Sequence, residues 1–590
     1  MSAEPQPAPE PVGFDLDARV ARAFMRFAGG FWLGVTRRRA WGLTLALALC
    51  LLASTGATIL LNAWNRVFFD ALENRDLAAF KWAALLFPAI IAAMAAIGVG
   101  IVLARETLQV RWRAWLVEQL LARWLDRQRY YHLNVSGREP PNPEYRISDD
   151  SRWATEIIVD LGIGLFSALF GAIAFISILW SVGGALRVGG VTIPAYMVLV
   201  ALAYGISASA LMLWIGRPLV GRVGTKNEAE GYFRFAMMRL RENAGTIAQM
   251  DGARSERLIL ARFFDGVVRR WLAIVRSHGH LTWITNASGP MIPIVPLLAA
   301  APKYLAGDLT LGQVTQLAAA FIQVQIAISW LVDNYNRIAE WYASARRVMD
   351  IVDATEAIDD TAPAPDAIVR GAHGRLEAIG LCLVDGEGRQ VLAIAEFAVR
   401  AGETVHISGA SGVGKSTLVR VLAGLTAPTA GRITLGHDAR LMIAPQRAYV
   451  PLGSLADALC YPVPDLAPAR QRLAACLVTA GLPDFAARLD QTARWDQVLS
   501  SGERQRLGIA RLMVHAPDIA ILDDALSALD ESAQADLVAA LRRTLPAAAI
   551  VTLGQQAAPR RLAARELILE RGPHGAVLRQ PAQPALADAL

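Results

Sequence analysis

The run Gly409-Ala-Ser411-Gly412-Val-Gly414-Lys415-Ser416, followed by Thr417, sets a lysine and a hydroxyl at the end of a glycine-rich turn. Residues 403–409, Glu-Thr-Val-His-Ile-Ser-Gly, read as a β-strand running into it. Glycines at these positions allow a tight backbone whose N–H groups gather around phosphate at a helix N-terminus. Lys415 then reaches the β- and γ-phosphates, and the Ser416 hydroxyl supplies an oxygen to Mg²⁺. About a hundred residues on, Ile519-Ala-Ile-Leu-Asp523 is an apolar strand ending in a carboxylate, which suits Asp523 for the Mg²⁺ side of the site. The chemistry is that of a phosphate-binding loop.

Positioning these groups requires strands that alternate with helices. Short β-type runs alternate with helical ones from about residue 375 to 570, an α/β pattern. Residues 351–374, crowded with Pro, Ala and Asp, read as a linker, and 571–590 as a C-terminal tail. Residues 1–13, with Pro at 5, 7, 9 and 11 and no apolar run, read as a disordered tail and not as a cleavable signal. Residues 14–350 are different in kind.

The 590-residue chain is 54% hydrophobic and 19% charged, less charged than a soluble protein of its size. Mean hydropathy is +0.35, and the composition excludes disorder and a secreted disulfide scaffold. Stretches long enough to cross a bilayer lie at about 41–62, 83–104, 157–180, 193–215, 283–302 and 314–333. Arginine crowds the connections after the second and fourth, from Arg105 to Arg152 and from Arg217 to Arg276. The positive-inside rule therefore puts both termini in the cytosol. The net charge of +6 is this arginine and no sign of nucleic acid. Of the 15 Trp, all but Trp495 fall at or before Trp341, many at span ends such as Trp41, Trp64, Trp82, Trp180 and Trp214.

Both basic connections carry helical periodicity, as in Trp112, Trp115, Leu116 and Leu120, so helices extending past the bilayer are expected, with a turn at 136–143. Residues 14–32 read as an amphipathic helix lying on the cytosolic membrane surface. In the sixth span Gln316, Gln323 and Trp330 recur every seven residues, with Gln313 and Gln325 nearby. They form either the polar wall of a translocation cavity or hydrogen-bonding glue between helices. The four scattered cysteines form no metal-ligand or disulfide pattern.

Between the two halves of the phosphate site lies Leu499-Ser500-Ser501-Gly502-Glu503-Arg-Gln-Arg, which resembles the signature sequence of ATP-binding cassette (ABC) proteins. Pro445-Gln446 resembles their Q-loop and Ser527-Ala-Leu-Asp530 their D-loop, all in the family order. The resemblance implies ATP and Mg²⁺ as cofactors, with Gln446 beside the metal. It also implies cassettes paired head to tail, the signature of one, here Ser500 and Gly502, closing on the phosphate loop of the other. One cassette per chain implies a second copy as partner.

Two positions depart from the family. Where the catalytic Glu follows the strand carboxylate there is Asp524, one methylene shorter. Where the switch histidine belongs the chain reads Val551-Thr-Leu-Gly-Gln555-Gln, and none of the eight histidines lies there. Gln555 can donate a hydrogen bond to a γ-phosphate but carries no charge. Residues 381–386 also lack the aromatic on which many cassettes stack adenine. Slow hydrolysis is the expectation.

In the membrane half, Asn142-Pro-Glu144-Tyr-Arg-Ile with Asp149-Asp150 resembles the N-P-D-Q-R-I…D element of the SbmA/BacA peptide-uptake proteins and their ABC-fused relatives. Glu230-Gly-Tyr-Phe-Arg-Phe, running into Arg239-Leu-Arg-Glu-Asn243, resembles their E-A-D-F-R-F…R-E-N stretch. Ala301-Pro-Lys-Tyr-Leu-Ala-Gly307 with Leu311-Gly312 resembles a third element, and similar ones occur in peroxisomal acyl-CoA half-transporters and a mycobacterial vitamin B12 and peptide importer. The resemblance implies a half-transporter of the inner membrane, with an exporter-type six-helix fold, swapped helices and a large outward-opening cavity. Its cytosolic helix ends would couple to the cassettes near Gln446. The implied cargo is peptides, antimicrobial ones included, moved inward, with cobalamin or fatty acyl-CoA as the alternative. A proton-coupled pathway that ATP only gates is the alternative mechanism. Glu230 serves either gating or proton transfer, or else an ion pair, for instance with Arg234. Glu144 and Asp149 either contact the partner's cassette or cap helices.

Overall fold

The computed structural model describes residues 17–188, 191–359, 368–371, 376–385, 388–463, 465–572 and 575–580. The chain divides near residue 361 into two compact units. The tail read at 1–13 lies outside the described residues.

The first unit is helical. Among the described residues, six helices are long and apolar enough to cross a membrane: Arg37–Glu73, Leu77–Val135, Pro143–Gly183, Tyr196–Glu242, Ala253–Leu305 and Leu311–Asp359. At ~1.5 Å per residue the 47 residues of Tyr196–Glu242 reach about 70 Å, more than twice the ~30 Å hydrocarbon core, so the helices run well beyond the bilayer. Their uninterrupted cores are α2 (Arg37–Glu73), α3 (Leu77–Leu125), α4 (Ser151–Gly183), α5 (Tyr196–Glu242), α7 (Ala253–Ser288), α8 (Met291–Leu305), α9 (Leu311–Asp333) and α10 (Tyr335–Asp359). A short helix α1 (Ala18–Ala28) precedes them, and α6 (Ala244–Gln249) joins α5 to α7.

The basic connections are more broken than their periodicity suggests. Arg127 and Gln128 take left-handed conformations that end α3. Asn243 closes α5 by donating its amide to the Arg239 carbonyl, and Asp251, also left-handed, turns the chain into α7. A short polar side chain such as that of Asp251 tolerates the left-handed region, Arg127 and Gln128 are not of that type, and apolar periodicity reports none of the three. The fourth span starts at Tyr196, after a hairpin of β1 (Leu186–Val188) and β2 (Val191–Ile193).

Helix α1 begins at Asp17, whose carboxylate caps the Arg19 N–H. Its apolar face is not turned to lipid. Phe24 is fully buried, edge-on to Trp341 of α10, and Trp112 of α3 donates to the Ala28 carbonyl. A helix flanked by these two indoles buries its apolar stripe against its own chain. Trp41, Trp82, Trp180 and Trp214 are exposed, as interfacial residues should be, whereas Trp64 stacks on Phe68 and donates to the Ala83 carbonyl.

The third family-like element has a packing cause at Gly312. The first amides of α9 donate to carboxylates on α2, Leu311 to Glu73 at 2.8 Å and Gly312 to Asp70 at 3.0 Å, where negative charge suits a helix N-terminus. A Cβ on Gly312 would run into the Arg66 carbonyl and the Asp70 carboxylate. Gly312→Ala is expected to cost about 1–3 kcal/mol, read as a lower melting temperature in detergent, whereas Gly98→Ala, in open space, is expected to be neutral.

The second unit carries a ten-stranded sheet among the described residues. Its strands are β3 (Ile368–Gly371), β4 (Leu376–Val384), β5 (Gln390–Val399), β6 (Thr404–Ser408), β7 (Ala430–Gly436), β8 (Leu441–Ala444), β9 (Ile519–Asp523), β10 (Ala549–Leu553), β11 (Arg565–Gly572) and β12 (Gly575–Arg579). They lie in the order β3-β7-β4-β5-β12-β11-β6-β10-β9-β8. The β11-β6-β10-β9-β8 block is parallel, with its central strands β6, β10 and β9 buried on both faces, and β4 with β5 and β7 is antiparallel. The helices that matter for the site are α11 (Lys415–Leu422), α12 (Ser501–His515) and α13 (Glu531–Thr544).

Two boundaries move. Residues 351–359, read as linker, continue α10, and β3 takes 368–371 into the sheet. The tail read from 571 begins with strand, since β11 and β12 pair through Gly572 and Gly575. In both places β-type or helical residues are diluted by Pro, Ala and Asp, which masks their periodicity.

Candidate nucleotide site

Strand β6 delivers the phosphate loop and α11 receives it. A Cβ on Gly409 would press into the Leu569 carbonyl of β11, so glycine is needed where the loop leaves the sheet. Gly412 and Gly414 are left-handed, at φ 77° and 114°, which bends the backbone ahead of α11. Lys415 is buried, its ammonium donating to the carbonyls of Gly409 at 2.8 Å and Ala410 at 3.0 Å. It makes no ion pair with a carboxylate among the described residues, although Asp523 lies near enough to feel its charge. Thr417 accepts from Arg420 one helical turn on, and Ser411 is exposed.

Asp523 closes β9 across from Ser416. Burial raises its pKa above the ordinary carboxylate range and the Asp524 charge adds to this, while a hydrogen bond with Ser416 and the Lys415 charge pull it down. A half-buried carboxylate beside a hydroxyl is a donor pair that fits a divalent cation.

Asp524 is left-handed at φ 48°, with its N–H held by the Leu553 carbonyl at 2.9 Å. Gln555 lies next to the phosphate loop, its amide donating to the Gly409 carbonyl at 3.3 Å. Gln556, which sequence reasoning passed over, donates to the Asp524 carboxylate at 3.0 Å.

The family-type residues on α12 and α13 are shaped as helix caps. Ser500 and Glu503 form a capping box at the start of α12, each side chain accepting from the other's backbone N–H. Ser501 is exposed, and Gly502 lies against Leu529. Asp530 caps α13 through the Ala533 N–H at 2.7 Å. None of these hydrogen-bonds its own phosphate loop among the described residues. Gln446 sits on the exposed turn after β8. A second residue missed from sequence is Gln505, buried in α12. Its amide donates to the Gln446 carbonyl and the Ser527 hydroxyl, and its oxygen accepts from Ala528 N–H. It ties the Q-loop-like turn to the D-loop-like one.

In the membrane unit, Gln316 is buried, with its backbone carbonyl accepting from Asn62, and Gln325 donates to the Ala201 carbonyl. Gln313 completes a capping box with Thr310, Gln323 is half-buried, and Trp330 fills the space beside Gly164. Gln316 and Trp330 thus lie between helices in the single chain, with the Gln316 side-chain oxygen making no hydrogen bond among the described residues. Seven-residue spacing fixes a face but not what that face meets. A cavity of about 220 Å³ between α5, α7 and α9 is instead lined in part by Tyr204, Ser209, Thr285, Gln325, Ser329 and Asp333.

Glu230 pairs with Lys226 at 2.9 Å, not with Arg234, and the Lys226 ammonium also lies over Trp271. Glu144 is exposed, and Asp149 makes a 3.5 Å pair with Arg152. The buried charge nearby is Asp150. Arg347 binds it bidentately at 2.6 and 2.8 Å, and Arg146 reaches Asp350 at 2.5 Å. Farther along, Arg337 pairs with Asp160, which also accepts from Gln109. These contacts lace α4 to α10.

Residues 32–305 match the family described as ABC transporter transmembrane region 2, and residues 392–527 match the ABC transporter family. Among curated proteins the chain is 26% identical to the inner membrane ABC transporter ATP-binding protein YddA of Escherichia coli, over 89% of this chain and 93% of that one. It is 29% identical to an uncharacterised ABC transporter ATP-binding protein of Synechocystis, over 85% and 76% respectively. The human lysosomal cobalamin transporter ABCD4 is 25% identical, over 80% and 82%. A six-helix membrane domain fused to one such cassette, with both halves matched, makes this chain an ABC half-transporter, an ATPase-coupled translocase related to YddA and the D-family transporters.

Proposed function

We propose that two copies of this chain form a transporter that takes peptides or other large amphipathic solutes inward across a bacterial inner membrane. Both termini and both cassettes lie on the cytosolic side, a reading supported by the arginine-rich connections. ATP binds with Mg²⁺. The backbone at Gly412 and Gly414 and the Lys415 ammonium hold phosphate, and Ser416, Asp523 and Gln446 hold the metal, which neutralises phosphate charge when bound. Asp524 orients the attacking water and Gln555 faces the γ-phosphate. Ser500, Gly502 and Asp530 serve the partner's site. With a shortened base and an uncharged switch residue, hydrolysis is slow.

The observation that supports the two-copy reading is exposed apolar surface outside the stretches whose composition reads as spans. On the arginine-rich parts of α5 and α7, Tyr232, Phe235, Met238, Leu258, Phe264 and Trp271 are all exposed in the single chain. Exposed apolar side chains gathered on such segments suit a partner surface. Glu230 on the same hairpin would respond to that partner's movement.

The peptide reading is supported by the resemblance to peptide-uptake proteins and by a cavity that mixes hydroxyl, amide and carboxylate groups with apolar walls. Such a lining suits solutes with both characters. A strain deleted for the gene, challenged with peptide antibiotics and supplied with labelled cobalamin or labelled fatty acid, tests it. Gain of resistance to peptides with unchanged uptake of the other two is expected. Loss of cobalamin or fatty-acid uptake alone would replace the cargo.

A further inference from the structure

The Asp524 carboxylate is held at both ends. Its backbone, left-handed at φ 48°, is fixed by the hydrogen bond to the Leu553 carbonyl. Its side chain is fixed by Gln556, whose Nε2 donates to Oδ1 at 3.0 Å. The neighbouring Gln555 points elsewhere, to the Gly409 carbonyl. The two glutamines that follow Gly554 thus divide the surroundings of the phosphate loop between them. Gly554 permits this. A Cβ there would run into Gln556 Oε1 and come within 2.7 Å of Asp524 Oδ1, so any side chain at 554 would displace the amide from the carboxylate.

We propose that Gln556 is a positioning residue for ATP hydrolysis, holding the short Asp524 side chain in the orientation from which it meets the attacking water. The inference rests on the assignment of Asp524 as that group. An aspartate has one fewer torsion than a glutamate but also less reach, so a small swing of its carboxylate moves both oxygens out of line. The amide of Gln556 takes one carboxylate oxygen and leaves the other free. A misplacement of about 1 Å can cost up to about a hundredfold in rate, so a single well-placed donor is worth keeping. Among the described residues the Gln556 side chain donates no hydrogen bond to the phosphate loop or to Asp523, so it acts through Asp524.

The test uses the full chain in lipid nanodiscs and four variants. Gln556→Met keeps the side-chain length without an N–H, Gln556→His restores a donor, Asp524→Asn sets the floor, and Asp524→Asn with Gln556→Met completes a cycle. The expected result for Gln556→Met is a drop in kcat of about tenfold toward the floor. KM for ATP, the Kd for a fluorescent ATP analogue and the melting temperature stay within about twofold or unchanged. The lifetime of the ATP-closed dimer, followed by spin-label distance, lengthens as turnover falls. Gln556→His recovers part of the rate, and Gln556→Met adds nothing in the Asp524→Asn background. A Gln556→Met protein with undiminished kcat, in a parent well above the floor, overturns the positioning role alone. So does a fall in nucleotide affinity or melting temperature matching the fall in kcat. A parent already at the Asp524→Asn floor overturns the assignment of Asp524 and the proposal with it.

Discussion

Arg347→Ala is expected to destabilise the membrane unit by about 3–5 kcal/mol, the cost of leaving a buried charge without its partner. Asp150 is fully buried, and Arg347 supplies both of its short hydrogen bonds. Removing the guanidinium strands the carboxylate between α4 and α10. Removing Asp150 costs less, because the Arg347 side chain is 42% exposed and water can solvate it. The double variant Asp150→Ala with Arg347→Ala is expected to be more stable than Arg347→Ala, since no buried charge remains. Asp149→Ala, at the half-exposed position, is expected to stay within about 0.5 kcal/mol of the parent. Melting temperatures of the parent and the four variants, Asp150→Ala among them, in detergent decide it. Equal losses for Asp149→Ala and Arg347→Ala would show that burial at 150 is not what matters.

Asp524→Glu combined with Gln555→His is expected to raise steady-state ATP turnover roughly tenfold to a hundredfold, about 1.4–2.7 kcal/mol off the barrier. The added methylene extends the carboxylate toward the water, and the imidazole supplies a group able to carry positive charge beside the γ-phosphate. Asp524→Glu alone is expected to gain less. The longer side chain must still share the space that Gly554 leaves to Gln556. A purified parent protein that hydrolyses ATP at an ordinary rate, with no gain in the double variant, would sink the reading of these two positions as departures that slow the site.

What could be read from sequence and what could not divide along one line. The phosphate loop and the Asp523 strand were legible because their chemistry is written in consecutive residues whose backbone conformation glycine and apolar runs dictate. Six spans were legible because crossing a bilayer imposes length and hydropathy on each segment separately. Gln556 was not, since it acts on a residue 32 positions earlier that only the parallel pairing of β9 and β10 brings beside it. Arg347 and Asp150 are 197 positions apart, and Gly312 meets Asp70 across 242. Local pattern favoured Asp149 over Asp150 and Arg234 over Lys226, because spacing along a helix does not say which neighbour the fold buries. The glutamines of the sixth span could be read from sequence only as a choice between cavity wall and interhelical contact, for the same reason. Its face was readable, and the helix packed against it was not.

The most direct test of an ATP-driven importer is uptake of a labelled antimicrobial peptide into proteoliposomes holding the purified protein. Vesicles whose cassettes face outward are removed by protease, and Mg²⁺-ATP is enclosed with no pH gradient across the membrane. Accumulation that follows enclosed ATP and disappears with Lys415→Ala is expected. Uptake that needs a proton gradient, and proceeds as well with a non-hydrolysable nucleotide, would contradict it.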